Sequence, residues 1–151
     1  MNMDAQQKRK LRRLLFIALL GMIGVSIVLA LTRRGEWIIP EKAKQRVNPM
    51  QPSAQTLYVA LGLYKENCAR CHGNTGKGDG RDAWKHYTTP SDLTNAARMS
   101  NLTDGALFYQ ISEGRRPMPQ FKTRLTEEQR WQVVLLIRSF AGATEKESKD
   151  P

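Results

Sequence analysis

Cys68-Ala69-Arg70-Cys71-His72 concentrates the soft donors of this 151-residue sequence, since it holds the only two cysteines and one of the two histidines. Thiols three positions apart can add to the two vinyl groups of one porphyrin, and the imidazole that follows directly can reach the iron. The pentapeptide therefore has the form of a covalent haem attachment site. Other uses of this spacing each lack a part. A structural zinc site takes about four ligands, usually with a second pair of Cys or His, and only His86 is left to contribute. A thioredoxin-like Cys-x-x-Cys follows a strand in a βαβ unit, and no stretch of this chain shows sustained strand-type alternation. A disulfide closed over so short a span would be strained and could not staple a domain.

An iron held by His72 has a second axial position to fill. Met118 is the favoured donor: a thioether is soft and neutral, Met/His coordination raises the haem potential into the range of electron carriers, and Pro117 and Pro119 stiffen the loop that presents it. Met99, Met50 and His86 compete. Methionine in a small domain more often fills the core, which suits Met99, while Met50 falls in a proline-interrupted stretch. His86 lies in the polar HYTTPSD segment, where it would be exposed or, as the alternative, give bis-His coordination of lower potential. Nearby residues carry weaker readings. Gly73, Gly76, Gly78 and Gly80 fit either a loop that lets backbone approach the haem or a plain surface turn. Trp84 or Tyr87 could donate to a haem propionate or simply be core. Arg115 with Arg116 could pair with propionates, meet an acidic partner, or stay solvated. The glycine run lacks the Gly-Lys-Ser/Thr ending of a P-loop, so no phosphate site is implied.

The elements that must position these groups read as helices. Leu57, Val59, Leu61, Leu63 and Tyr64 lie on one that leads into the cysteines. Thr103 as N-cap predicts a helix from Asp104 to Glu113, with Leu107, Phe108 and Ile111 on one face and Gly114 as its stop. Thr126 with Gln129 predicts a capping box before a last helix carrying Trp131, Val134, Leu135 and Arg138, ended by Gly142. The charged tail, residues 143–151, is expected to be disordered. Residues 53–142 thus form one domain whose apolar content is low for its size, and a haem would complete its core.

Ahead of this domain, Leu14 to Leu31 runs eighteen residues without a charge. At about 1.5 Å per residue that is about 27 Å of helix, close to the hydrocarbon thickness of a bilayer. Of the formal charge of +10, residues 1–34 contribute +6, from seven basic residues against Asp4. The basic excess flanks an apolar segment and so reports topology rather than nucleic-acid binding. The positive-inside rule places residues 1–13 in the cytoplasm, residues 14–31 across the membrane and the rest outside. A cleaved signal peptide, cut after Val28 and Ala30, is opposed by the length of the segment and by Arg33 and Arg34 just beyond it. Neither an ionisable residue nor GxxxG interrupts the segment, so no proton path or strong helix dimer is indicated. Residues 32–52, with Pro40, Pro49 and Pro52, read as a linker reaching at most about 70 Å, with Trp37 suited to the membrane interface.

CARCHG, the GNTGKGDG that follows it, Pro90-Ser91-Asp92-Leu93, LTDGALFYQISEG, Met118-Pro119 and LTEEQRWQVVLLIRSF together resemble a class I monohaem cytochrome c of the membrane-anchored bacterial type, over Leu57 to Ala141. The resemblance implies an all-α fold whose first and last helices cross over one covalent haem c, with His72 as proximal and Met118 as distal ligand. It implies further that the Pro90 carbonyl accepts the proximal imidazole N–H, and that Gly62 and Tyr64 form a close-approach site met by Trp131. With both axial positions filled, no iron position is open to substrate. The expected function is one-electron transfer without catalysis in a respiratory or photosynthetic chain, between a quinol-oxidising complex and a terminal oxidase or other acceptor. The haem domain would stand on the periplasmic side of the inner membrane. A fixed subunit of a larger redox complex is the alternative, and a haem enzyme or gas sensor would need a displaceable Met118.

Overall fold

The computed structural model describes residues 5–32 and 37–147. The readings that rest on Arg33, Arg34 and residues 148–151 lie outside the described residues. The chain divides into two units, one up to Ile38 and one from Ile39 on. Among the described residues the first holds one helix, α1 (Ala5–Thr32), within which Gln6–Leu29 is long and apolar enough to cross a membrane. Leu14, Phe16, Ile17, Ile23 and Val28 are all exposed. An apolar stretch of this length is suited to hydrocarbon, as an anchor or as a signal.

The second unit comprises α2 (Glu41–Lys44), α3 (Ala54–Asn67), α4 (Ala69–His72), a 3-10 turn (Ala83–Lys85), α5 (Ala96–Ser100), α6 (Asp104–Glu113) and α7 (Glu127–Glu147). Among the described residues the only β-pairing is an isolated bridge between Arg115 and Met118. Side chains set the helix starts. Ser53 Oγ accepts from Thr56 N at 3.0 Å, and Thr103 Oγ1 accepts from Ala106 N at 3.1 Å. Thr126 and Gln129 exchange bonds of 2.9 and 3.2 Å in the expected capping box. Gly114, at φ 62, ends α6 as expected, but α7 runs through Gly142 to Glu147. A glycine costs a helix only about 1 kcal/mol relative to alanine, too little to stop one flanked by alanine, glutamate and lysine. The tail is therefore helical through Glu147.

α7 packs on α3, α5 and α6. Trp131 stacks on Phe108 of α6 with ring centroids 4.0 Å apart, whereas Tyr64 of α3 meets Phe140 edge-on at 5.2 Å. The expected close approach of Trp131 at Gly62 is corrected, since Gly62 is exposed with nothing within 4 Å of where its Cβ would stand, while Tyr64 and Trp131 share one buried cluster and take different ring partners. Helical geometry explains the exchange of partners. Trp131 and Phe140 are nine residues apart, and nine steps of about 100° put them on opposite sides of α7.

The stretch read as a linker also needs correction, because the compact unit begins at Ile39 rather than at Ser53. Asn48 is buried, donating from Nδ2 to the Trp131 carbonyl at 3.1 Å and accepting from Met50 N at 2.9 Å. The Arg46 guanidinium lies 4.5 Å from the centre of the Phe108 ring and 5.2 Å from that of Trp131, and it pairs with Glu127. Thr103 Oγ1 donates to the Lys44 carbonyl at 2.7 Å. At Gly105 any Cβ would collide with the Ala43 carbonyl, so this glycine admits α2 onto α6.

Candidate functional site

α3 leads directly into the cysteines. Cys68 N donates to the Tyr64 carbonyl at 2.8 Å, and the single turn α4 follows, with His72 N bonded to Cys68 O at 3.0 Å and Gly73 N to Ala69 O at 2.9 Å. Residues three apart on a helical turn share a face, so Cys68 and Cys71 project together. Both are free and half-buried. Burial, and then the proximity of Cys71, push the Cys68 thiol up to about 12.

His72 is half-buried, and its Nδ1 lies 3.1 Å from the Ser91 carbonyl. A carbonyl can only accept, so Nδ1 carries the proton and Nε2 keeps its lone pair for a metal. Burial lowers the pKa of this imidazole, and the Ser91 bond opposes that shift without outweighing it. The ring is therefore neutral at pH 7, as a ligand must be. The acceptor is Ser91, one residue beyond the expected Pro90. The glycine turn sets this register: Leu93 N donates to the Gly76 carbonyl at 2.7 Å, and the Pro90 carbonyl oxygen lies 2.5 Å from where a Cβ on Gly78 would be. Gly78, at φ +79, thus makes room for the chain's own backbone.

Side-chain bonds that sequence reasoning did not foresee support the attachment segment. Asp82 is buried and receives Arg70 Nε at 2.8 Å and Lys85 Nζ at 2.6 Å, which ties the loop after the glycines back to α4. Those two bonds, Lys85 first, hold its carboxyl below the usual range. The Tyr64 hydroxyl donates to the Gly73 carbonyl at 2.8 Å.

Met118 is half-buried at the margin of the hydrophobic cluster that Cys68 and Ala69 also join. Its N–H donates to the Arg115 carbonyl at 2.9 Å, and the Arg116–Pro117 peptide is cis. Of its competitors, Met99 is 2% exposed and fills the core, while Met50 is half-buried against the same cluster. His86 is half-buried rather than exposed. Trp84 and Tyr87 are exposed and not core, and Arg115 and Arg116 are exposed as well.

Among the described residues no group of three or more His, Cys, Asp or Glu could hold an ion by itself. A porphyrin needs only axial donors and two thiols from the protein. Cys68, Cys71 and a neutral His72 with Nε2 available meet that requirement, so the residues present fit haem c.

Known proteins point to the same stretch. The family described as cytochrome c oxidase, cbb3-type, subunit III matches residues 60–137. Among solved structures, the chain is similar to one in the reducing HAO-like protein complex of Kuenenia stuttgartiensis, at 24% identity and a TM-score of 0.54. That alignment covers 61% of this chain and 46% of the other, so this chain spans less than half the length of its neighbour. It is similar also to the KustC0563 c-type cytochrome, at 27% identity and a TM-score of 0.47, over 54% of this chain and 95% of that one. No curated protein sequence matches.

Proposed function

This chain belongs to the c-type cytochrome family described as cytochrome c oxidase, cbb3-type, subunit III, and on that premise we propose that it is a membrane-tethered one-electron carrier. Its class I monohaem domain binds haem c, which supplies reversible one-electron chemistry when bound. The chain's own residues decide what else is possible. Cys68 and Cys71 would hold the group by thioethers, and His72 Nε2 and the Met118 thioether would ligate its iron. Pro90 takes no direct part in this reading. The observation that carries it is His72, neutral and half-buried, with Nδ1 engaged by Ser91 at the end of a turn that projects both thiols. With both axial sites taken, nothing is left for oxygen or substrate to bind.

Carbon monoxide tests this. The reduced protein is expected not to bind it at neutral pH, whereas Met118→Ala binds it readily and becomes high-spin when oxidised. Rapid, complete binding by the unaltered protein would sink the carrier reading in favour of a haem enzyme or sensor. Equal inertness of Met118→Ala would pass the ligand role to His86.

The exposed apolar length of α1 supports the tether, and the basic residues before it support an N-in orientation with the haem domain in the periplasm. Retention in the membrane fraction through an alkaline carbonate wash is the expected result, and release by the wash would mean a cleaved signal. Partners would be a quinol-oxidising donor and a terminal oxidase or other acceptor in the same membrane. A second reading, a fixed subunit of one such complex, is favoured by the description of the matching family as an oxidase subunit. Purification in mild detergent separates the two, since a carrier migrates alone and a subunit brings its complex with it.

A further inference from the structure

Tyr64 grips both ends of the attachment segment. Its backbone carbonyl accepts from Cys68 N at 2.8 Å, and its hydroxyl reaches nine residues ahead to donate to the Gly73 carbonyl, also at 2.8 Å. Everything from Cys68 to His72 lies between these two bonds. The ring is fully buried and braced edge-on by Phe140 at 5.2 Å, so the hydroxyl has a fixed place. From Gly73 the bonding continues. Its carbonyl also accepts from Gly76 N at 3.3 Å, the Gly76 carbonyl accepts from Leu93 N at 2.7 Å, and the His72 carbonyl accepts from Gly78 N at 2.8 Å. Two residues before Leu93 stands Ser91, whose carbonyl receives His72 Nδ1–H. Hydrogen bonds from the phenol through Gly73 and Gly76 to Leu93, and then two residues of backbone, thus join Tyr64 to the carbonyl that orients the imidazole.

We infer that Tyr64 is a positioning residue for His72: its hydroxyl fixes the Gly73 to Gly78 turn, the turn fixes the Ser91 carbonyl, and the strength of the His72 Nδ1–H bond, and with it the potential of the bound haem, follows. This rests on the ligation by His72 proposed above. A stronger bond from Nδ1–H makes the imidazole a more basic ligand and favours the oxidised state. Loosening that bond raises the potential. A hydroxyl that only stabilised the fold would leave the potential unchanged.

The test uses the full-length holoprotein in detergent, comparing the unaltered chain with Tyr64→Phe and with Asn48→Ala. The latter removes a buried side chain's hydrogen bonds to Trp131 and Met50 from residues 39–52, the strap that packs on α6 and α7 away from the Gly73 to Gly78 turn. Three quantities are read: the midpoint potential, the solvent exchange of His72 Nδ1–H by NMR in the reduced state, and the melting temperature. Tyr64→Phe is expected to raise the potential and speed the exchange, whereas Asn48→Ala lowers the melting temperature and moves neither. Unchanged potential and exchange in Tyr64→Phe, or equal shifts in both variants, would overturn the inference. Should Tyr64→Phe not accumulate with haem, a trifluorinated tyrosine at position 64 keeps the ring and donates more strongly. The potential must then fall, and no change overturns the idea. Failure of the underlying site reading looks different, because the unaltered protein itself would then lack covalent haem or a protected Nδ1–H.

Discussion

Asp82 shows how a single carboxylate can couple the loop after the glycines to the attachment turn, and its titration makes that coupling measurable. Lys85 and Arg70 lower its folded pKa below the ordinary 3.8. The stability this contributes is complete above that ordinary value and is lost as pH falls through the lower folded value. Asp82→Asn is therefore expected to be less stable than the unaltered protein at about pH 6, with the gap closing as pH falls below about 4. Chemical denaturation at a series of pH values checks this, and a gap that is constant or widens in acid would contradict it. None of this was legible beforehand, because Asp82 stands twelve residues beyond Arg70, in a loop without periodicity. Cys68, Cys71 and His72 were legible because their chemistry is written in adjacent side chains. The misassignment of Pro90 has the opposite cause: the true partner is a backbone carbonyl, which every residue has. Choosing between Pro90 and Ser91 requires knowing how the glycine turn sets the register.

Elements divided along the same line. The starts of α6 and α7 were readable from Thr103, Thr126 and Gln129, whose bonds all span three residues. The strap was not, since Arg46 and Glu127 are 81 residues apart and Thr103 and Lys44 are 59 apart. Its prolines do forbid one continuous helix, yet they say nothing against packing. Gly105 offers the sharpest probe, because a single added methyl meets the Ala43 carbonyl. Gly105→Ala is expected to cost about 1–3 kcal/mol by overpacking. It should also make residues 41–50 markedly more sensitive to limited proteolysis. A variant with unchanged midpoint in denaturant and unchanged cleavage would show that α2 tolerates displacement, and that its seat on α6 matters little.

For the whole molecule, docking of the strap alters what the tether can do. A free linker of residues 32–52 could extend at most about 70 Å, whereas residues 33–38, the only ones between α1 and the second unit, reach at most about 20 Å. On the proposed anchoring, so short a reach would confine a carrier to partners in its own membrane and keep their effective concentration high, at about millimolar. Replacing residues 1–38 with a cleavable export signal should then leave the haem spectrum intact and abolish membrane retention. At about 1 μM free domain, quinol-driven oxygen uptake by membranes should fall by roughly a thousandfold, the ratio of the two concentrations. Adding the free domain at about millimolar concentration should restore the rate, since for a carrier the helix supplies proximity alone. Unchanged uptake by the released domain would show that the tether contributes nothing. Uptake that stays low even at high concentration would show that α1 contributes packing rather than proximity, which is the behaviour of a fixed subunit.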